Sequence, residues 1–530
     1  MGGLVCRSLC RRESEEGDAL DEISPERQRL QRSCPRGSPW AEHLVQEFFG
    51  VEANRKDRAY VNFMMWMSTS KFPRMIPGDR AVPFTVQPSP FVQGLKLLEP
   101  LEPNQINGQA QQQLLAALGG AKQVIVGSVR MGYGHHRIAY SALTWAIDMG
   151  MQPYLLDILS PDCVEADIVR NMDKQYSRMS RMAAQFGGIV DTFWGHMTLT
   201  GDMKMMRFFV ALAQKIRPIM AGLPRDVPVI SSHPIIGDIA MACGFKTVIN
   251  LVFDNYPQYF VLVPGALNLV QSPSYFDKLL DMGVPARSLR LAGHWVSSDL
   301  CTHAVEDSEA RMARCARTEL PRRFLITVGG AGAQKEFLKD FLKALAGRLR
   351  ERRLRLYINC GDHRHIADAV VQTLTSLSIE FDEVLTSAAT EALCQREPLS
   401  ALSEPIGYKP VTVLRFDNHF AAFRCTDLVI RIADVLVTKP SELAFFPVPK
   451  LHIRRVGAHE AFSALRSTEL GDGTVECREV AHAIRKVEQL IEPCSSLFQL
   501  MNRSIIAAAA AKIYEGSRVA CECALGNIPP

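Results

Sequence analysis

Two stretches of this sequence combine glycines, hydroxyls and basic side chains in a spacing that can do chemistry. The first reads Val124-Ile125-Val126-Gly127-Ser128-Val129-Arg130-Met131-Gly132-Tyr133-Gly134-His135-His136-Arg137. An apolar stripe of Ile138, Ala142, Trp145/Ala146 and Met149 follows, ended by Gly150. This predicts a strand, a tight turn and an amphipathic helix with a glycine cap. Unpaired backbone N–H groups at such a helix start can hold an anion or a developing negative charge. Gly132 and Gly134 let the backbone come close to a ligand. The second stretch, Phe324-Leu325-Ile326-Thr327-Val328-Gly329-Gly330-Ala331-Gly332-Ala333-Gln334, opens in the same way. Either turn alone also serves as a plain strand–helix corner. Two of them on facing domains predict a cleft with a nucleoside diphosphate on one wall and an acceptor on the other.

A nicotinamide dinucleotide is the competing ligand for the first turn. Gly132-x-Gly134 is present, and Asp157 follows 23 residues after Gly134. The third glycine of that fingerprint falls on Arg137, which spoils close packing of helix on strand.

The elements that must position these residues alternate along the chain. Short β-branched runs are expected at 123–126, 153–158, 227–231, 247–253, 267–270 and 289–291, and again at 323–328, 354–359, 411–416, 434–437 and 450–453. Helix-length segments separate most of them. Strand, helix, strand in repetition predicts a parallel sheet covered on both faces, and two series predict two doubly wound domains. The expected organisation is a disordered tail at 1–38 and an extension at 39–115 whose role is not legible. A Rossmann-like acceptor domain at 116–300 and a donor-binding one at 320–495 follow, with C-terminal helices at 496–530. The break between the domains is placed at 297–322, a charged and polar stretch.

The order of short motifs resembles a two-domain glycosyltransferase group. That group includes the bacterial N-acetylglucosaminyltransferase of peptidoglycan lipid-intermediate synthesis and the diacylglycerol glycosyltransferases such as monogalactosyldiacylglycerol synthase. The resemblance is carried in order by Gly132-Tyr133-Gly134-His135, Ser232-His233-Pro234, Val252-Phe253-Asp254-Asn255, Gln271-Ser272-Pro273-Ser274 and Leu291-Ala292-Gly293-His294-Trp295-Val296. It continues in Gly329-Gly330-Ala331-Gly332, Asn359-Cys360-Gly361-Asp362 and Ala433-Asp434-Val435-Leu436-Val437-Thr438-Lys439-Pro440-Ser441-Glu442. It covers residues 120 to 515 and implies α/β domains in the GT-B arrangement, an inverting mechanism, and neither a catalytic metal nor a cofactor. The donor it implies is a nucleoside-diphosphate sugar, UDP-linked, and the acceptor a hydroxyl, which a lipid can supply.

The resemblance places His135 as the base, with Asp254 able to hold the acceptor or orient His135. Gly132, Gly134, His136 and His233 fall on the acceptor-side loops. Gly329, Gly330, Gly332, Lys439 and Ser441 meet the donor diphosphate, and Glu442 takes the ribose hydroxyls. Each has a plainer reading: His136 and His233 as helix-start or loop histidines, Glu442 as a first-turn partner of its helix dipole, Lys439 as a solvated charge. Two departures stand out. Only Pro440-Ser441 lie between Lys439 and Glu442, where the group has a longer glycine-containing loop, and about two dozen residues near 385–407 interrupt the second domain. A degenerate GT-B binding or scaffold protein therefore stays open, as does a sugar-nucleotide epimerase.

Composition excludes other classes. The net charge of +4 over 530 residues argues against a nucleic-acid coat. Hydrophobic residues at 47% allow a real core, and no apolar run reaches membrane-span length. Fourteen scattered cysteines lack zinc spacing and predict reduced thiols in a cytoplasmic protein. The basic, apolar stretch 204–217 allows a peripheral seat on an anionic membrane surface, or an ordinary docking helix.

Overall fold

The computed structural model describes all residues except 1–38, 73–80, 103–107, 132, 175–202, 329–333, 402, 456, 458–459 and 528–530. Two mostly parallel sheets organise the chain. The first contains β1 (Phe84–Pro88), β2 (Lys96–Pro100), β3 (Gln123–Ser128), β4 (Gln152–Asp157), β5 (Val229–Ser231), β6 (Val248–Leu251), β7 (Leu267–Val270) and β8 (Leu289–Leu291), in the order β1-β2-β4-β3-β5-β6-β7-β8. The second contains β9 (Arg322–Thr327), β10 (Leu354–Asn359), β11 (Phe381–Val384), β12 (Val411–Leu414), β13 (Val435–Thr438) and β14 (Lys450–His452), in the order β11-β12-β10-β9-β13-β14. Only the β1–β2 pair is antiparallel. This is the expected α/β pair of Rossmann-like domains.

Every expected strand is present. The β-branched centres of β3, β9 and β10 are buried because helices cover both faces of each sheet. The strand order reverses beside β3, which has β4 on one side and β5 on the other, and beside β9, between β10 and β13. Ligands of open α/β sheets bind at the C-terminal strand ends where the order reverses. Both glycine turns leave from those ends.

Three strands escaped the sequence reading. β1 and β2 each end in proline and form a hairpin that adds to β4, so residues 84–100 extend the first sheet. β11 carries Asp382 and Glu383 exposed on an edge, where burial imposes no apolar pattern.

The helices Pro39–Phe49 and Arg55–Thr69, the latter started by an Asn54–Asp57 capping box, lie on the helix Met203–Ile216. That helix is the basic, apolar stretch singled out above. Its Met206, Phe208, Val210, Leu212, Ala213 and Ile216 are buried, and its other neighbour is the helix Pro234–Cys243. Its apolar face is thus covered by protein, and the docking-helix reading holds rather than the membrane-surface one. No helix among the described residues is long and apolar enough to cross a membrane.

The segment read as a break is helical, with helices Ser298–Thr302 and Ala304–Cys315. The interrupting stretch near 385–407 contains the helix Ser387–Arg396, capped by Thr386. The chain finally crosses back. The helix Gly516–Ala524 packs on the helix Gly134–Asp148, where Ser141 Oγ and Ser517 Oγ lie 2.8 Å apart. Gly293 permits this crossing: it has φ +94° and a Cβ there would lie 2.4 Å from Ile513 O.

Candidate functional site

β3 delivers Ser128 to the mouth of the first sheet, and the helix Gly134–Asp148 begins six residues later. His135 is its second residue and keeps partial exposure. Its Nδ1 lies 3.0 Å from the carbonyl oxygen of Ser232, just past β5. A carbonyl only accepts, so Nδ1 carries the proton and Nε2 is left as the basic nitrogen. The ring sits edge-on to His233 at 4.6 Å and to Phe253 at 4.7 Å. Burial holds the His135 pKa down at about 4, against the opposing pull of the Glu442 carboxylate. At neutral pH the imidazole is therefore uncharged.

Glu442 comes from the other domain. The short turn Glu442–Phe445 follows β13 by way of Lys439-Pro440-Ser441. Its carboxylate rests against the backbone of Gly134: a Cβ built on Gly134 would lie 1.9 Å from Glu442 Oε1. Glycine at 134 thus leaves room for the Glu442 carboxylate, which would have to turn aside for any larger residue.

His136 is buried and turned away from His135. Its Nδ1 lies 3.1 Å from Ser128 Oγ and its Nε2 3.4 Å from Asp157. Burial alone would raise the Asp157 pKa, but the hydrogen bond and charge of His136 hold it below the usual carboxylate value. Asp157, the residue a dinucleotide reading reserves for ribose, is engaged with His136 and with the backbone of Leu159. Arg137, at the third-glycine position, is buried too. It donates to Phe423 O at 3.1 Å and pairs with Asp427 of the second domain.

His233 caps its own helix. Its Nδ1 accepts from Ile235 N at 3.2 Å, and burial pushes its pKa well down. Asp254 lies three residues past β6, next to Phe253 on the same wall, while the Nδ1 bond that orients His135 is made by Ser232. Lys439 donates to the buried Glu460 and is not a freely solvated charge. Ser441 precedes the Glu442 turn, its backbone N bonded to Lys439 O at 2.8 Å. Lys450, eight residues after Glu442, is buried against Asp472 at 2.7 Å and serves the core. Gly132, Gly329, Gly330 and Gly332 lie outside the described residues.

Several members of this mouth had gone unassigned. Tyr133 Oη donates to both oxygens of Asp362 at 2.5 Å, and Arg130 approaches the same carboxylate at 3.7 Å. His419, first residue of the helix His419–Ile430, stacks on Tyr133 at 5.6 Å and meets His136 edge-on at 5.0 Å. Its burial, helped by His136, holds its pKa at about 4. The position of Asp362 just past β10 was the available signal. For His419 the sequence held none, because its partners lie in the other domain. Among the described residues no group of three or more His, Cys, Asp or Glu is arranged to hold a metal ion.

Residues 91–278 match a family described as a domain of unknown function, DUF6937, and residues 284–525 match a second, DUF6938. No curated protein matches. Among solved structures, the UDP-GlcNAc 2-epimerase of Neisseria meningitidis bound to UDP-GlcNAc is 11% identical, covers 76% of this chain and 100% of its own, and has a TM-score of 0.42. A putative UDP-N-acetylglucosamine 2-epimerase of Listeria monocytogenes is 10% identical, with coverages of 75% and 98% and a TM-score of 0.41. The α,α-trehalose 6-phosphate synthase of Burkholderia multivorans is 12% identical, with coverages of 77% and 99% and a TM-score of 0.39.

Proposed function

We propose that this protein is a GT-B-type transferase that moves a sugar from a nucleoside-diphosphate donor, UDP-linked, to a hydroxyl acceptor with inversion. One observation carries the reading. His135 presents a neutral, tautomerically defined Nε2 at the mouth of the first sheet, opposite a carboxylate of the second domain. In this reading Nε2 takes the proton of the acceptor hydroxyl as its oxygen attacks the anomeric carbon. The nucleoside diphosphate leaves from the opposite face with the bonding pair. Lys439, Ser441 and the turn that contains Gly329, Gly330 and Gly332 meet its charge, and Glu442 meets the ribose hydroxyls. Glu442 also favours the imidazolium that forms on His135. Phe253, Tyr256 and Phe260, all partly exposed, support an acceptor with an apolar body, a lipid among them.

The test is release of nucleoside diphosphate from a panel of sugar donors, with melting curves in uridine and guanosine diphosphates. Turnover that falls by roughly 10²–10⁴ in His135→Ala, with ligand-induced stabilisation retained, supports the reading. Neither release nor stabilisation with any donor ends it. The ion pair of Lys439 with Glu460 favours a second reading, a binding protein of the same fold, because a diphosphate must displace Glu460 to reach Lys439. Stabilisation by nucleotide without any release would select that one.

A further inference from the structure

The helix Gly134–Asp148 starts with the wrong residues for an isolated helix. Its N-cap is Tyr133, whose side chain makes no bond to the helix, where Ser, Thr, Asp or Asn is preferred. Its first turn has no acidic residue and instead carries His135, His136 and Arg137. The Arg137 charge there opposes the positive end of the helix dipole. The negative partners come from elsewhere, mostly from the other domain. Asp362 takes Tyr133 and Arg130, Glu442 rests on Gly134, and Asp427 takes Arg137. Only His136 finds its carboxylate, Asp157, in its own domain.

We propose that the second domain caps this helix in trans. Asp362, Asp427 and Glu442 complete its N-terminus when the domains close, and Tyr133 and Asp362 are positioning residues that hold His135 in place only in the closed form. The assignment of His135 as the base rests on the transferase reading; the capping does not. Local rules broken at one helix start, and answered across a domain boundary, mark a joint that couples closure to the seat of a side chain. Tyr133 is two residues before His135, so the Tyr133–Asp362 bond acts directly on the backbone that carries the imidazole.

The groups that face His135 are His136 on its own helix, His233 at the start of the helix Pro234–Cys243, Phe253 past β6 and Glu442 from the second domain. Two classes of variant therefore push its titration in opposite directions. Tyr133→Phe and Asp362→Asn release the latch, rehydrate the imidazole and raise its titration point toward the ordinary value. Glu442→Gln removes the opposing carboxylate and lowers it further. Amide exchange at Arg137, whose N–H donates to Tyr133 O at 2.9 Å, should quicken roughly tenfold in the latch variants. The double variant should match Asp362→Asn alone, because that substitution weakens the Tyr133 bond and also the Arg130 pair.

Heteronuclear NMR of the full chain, without ligand, reads both effects. Unchanged exchange at Arg137 and an unmoved His135 titration in Tyr133→Phe and Asp362→Asn overturn the proposal. A latch effect with no turnover of any sugar donor leaves the cap standing and removes the transferase reading alone.

Discussion

Two buried polar networks lie at opposite ends of the strands and differ in how their charges are answered. At the foot of the second sheet, Arg323 opens β9 with Arg322, and Arg355 sits second in β10. Glu404 accepts from Arg314 at 2.8 Å, Arg323 at 3.0 Å and Arg355 at 2.6 Å. Glu397 accepts from Arg355 at 2.8 Å and Tyr357 at 2.7 Å. Both carboxylates belong to the stretch that interrupts the second domain, so that stretch neutralises buried arginines. All these partners lie in one domain except Arg314, which joins them from the helix Ala304–Cys315. At the mouth, by contrast, Tyr133, Gly134 and Arg137 meet carboxylates of the other domain, and among the described residues His135 Nε2 makes no hydrogen bond. Burial and charge alone do not separate a structural network from a site. A network whose partners cross a boundary and leave one base unengaged can open and do chemistry.

The sharpest way to break this comparison is to damage the foot. Glu404→Ala leaves three arginines without their shared carboxylate and should cost about 3–5 kcal/mol in denaturant unfolding, with the His135 titration unmoved. A coupled change at His135 would join the two networks and defeat the distinction.

Acid probes the mouth. His135 and His419 are held near 4 in the fold and titrate near the ordinary value of about 6.5 when unfolded, so the unfolded chain takes up protons first. Their stabilising contribution is present above about pH 6.5 and is lost as pH falls toward 4. Between pH 7 and 5.5 the pair should account for about 2 kcal/mol of lost stability. Comparison with the double variant His135→Gln/His419→Gln measures it. Equal acid sensitivity of the two proteins would deny these histidines the role.

A smaller effect is expected at Gly134. Gly134→Ala pushes the flexible Glu442 side chain aside and should cost about 1 kcal/mol of closure at most. Adding Glu442→Ala should recover most of that loss if the contact is the cause. The smallest concerns His233. His233→Ala should lose about 1 kcal/mol of thermal stability and His233→Asn almost none, since asparagine also caps.

Much of the fold was legible because strands and helices are encoded by near neighbours. Val124–Val126 and Phe324–Ile326 read as buried strands, and Gly150, at φ +71°, ends its helix as expected. β1, β2 and β11 were not legible, since prolines and an exposed acidic edge hide their period. At the site, His135 and Glu442 were singled out by the resemblance, and the structure brings the two together. The engagement of Lys439 by Glu460 was hidden by the 20 residues between them, whereas the structural reading of His233 was already available beside its proline.

The amino-acid pattern by itself determined two parallel sheets, each with a glycine turn at the end where ligands bind. That follows because a glycine between a β-branched run and an amphipathic run permits few local conformations. Which base meets which acid was decided only in three dimensions. Tyr133 and Asp362 are 229 residues apart, and Arg137 and Asp427 are 290 apart. Such pairs form only after both sheets have folded and docked, and charge attracts whatever the fold brings near.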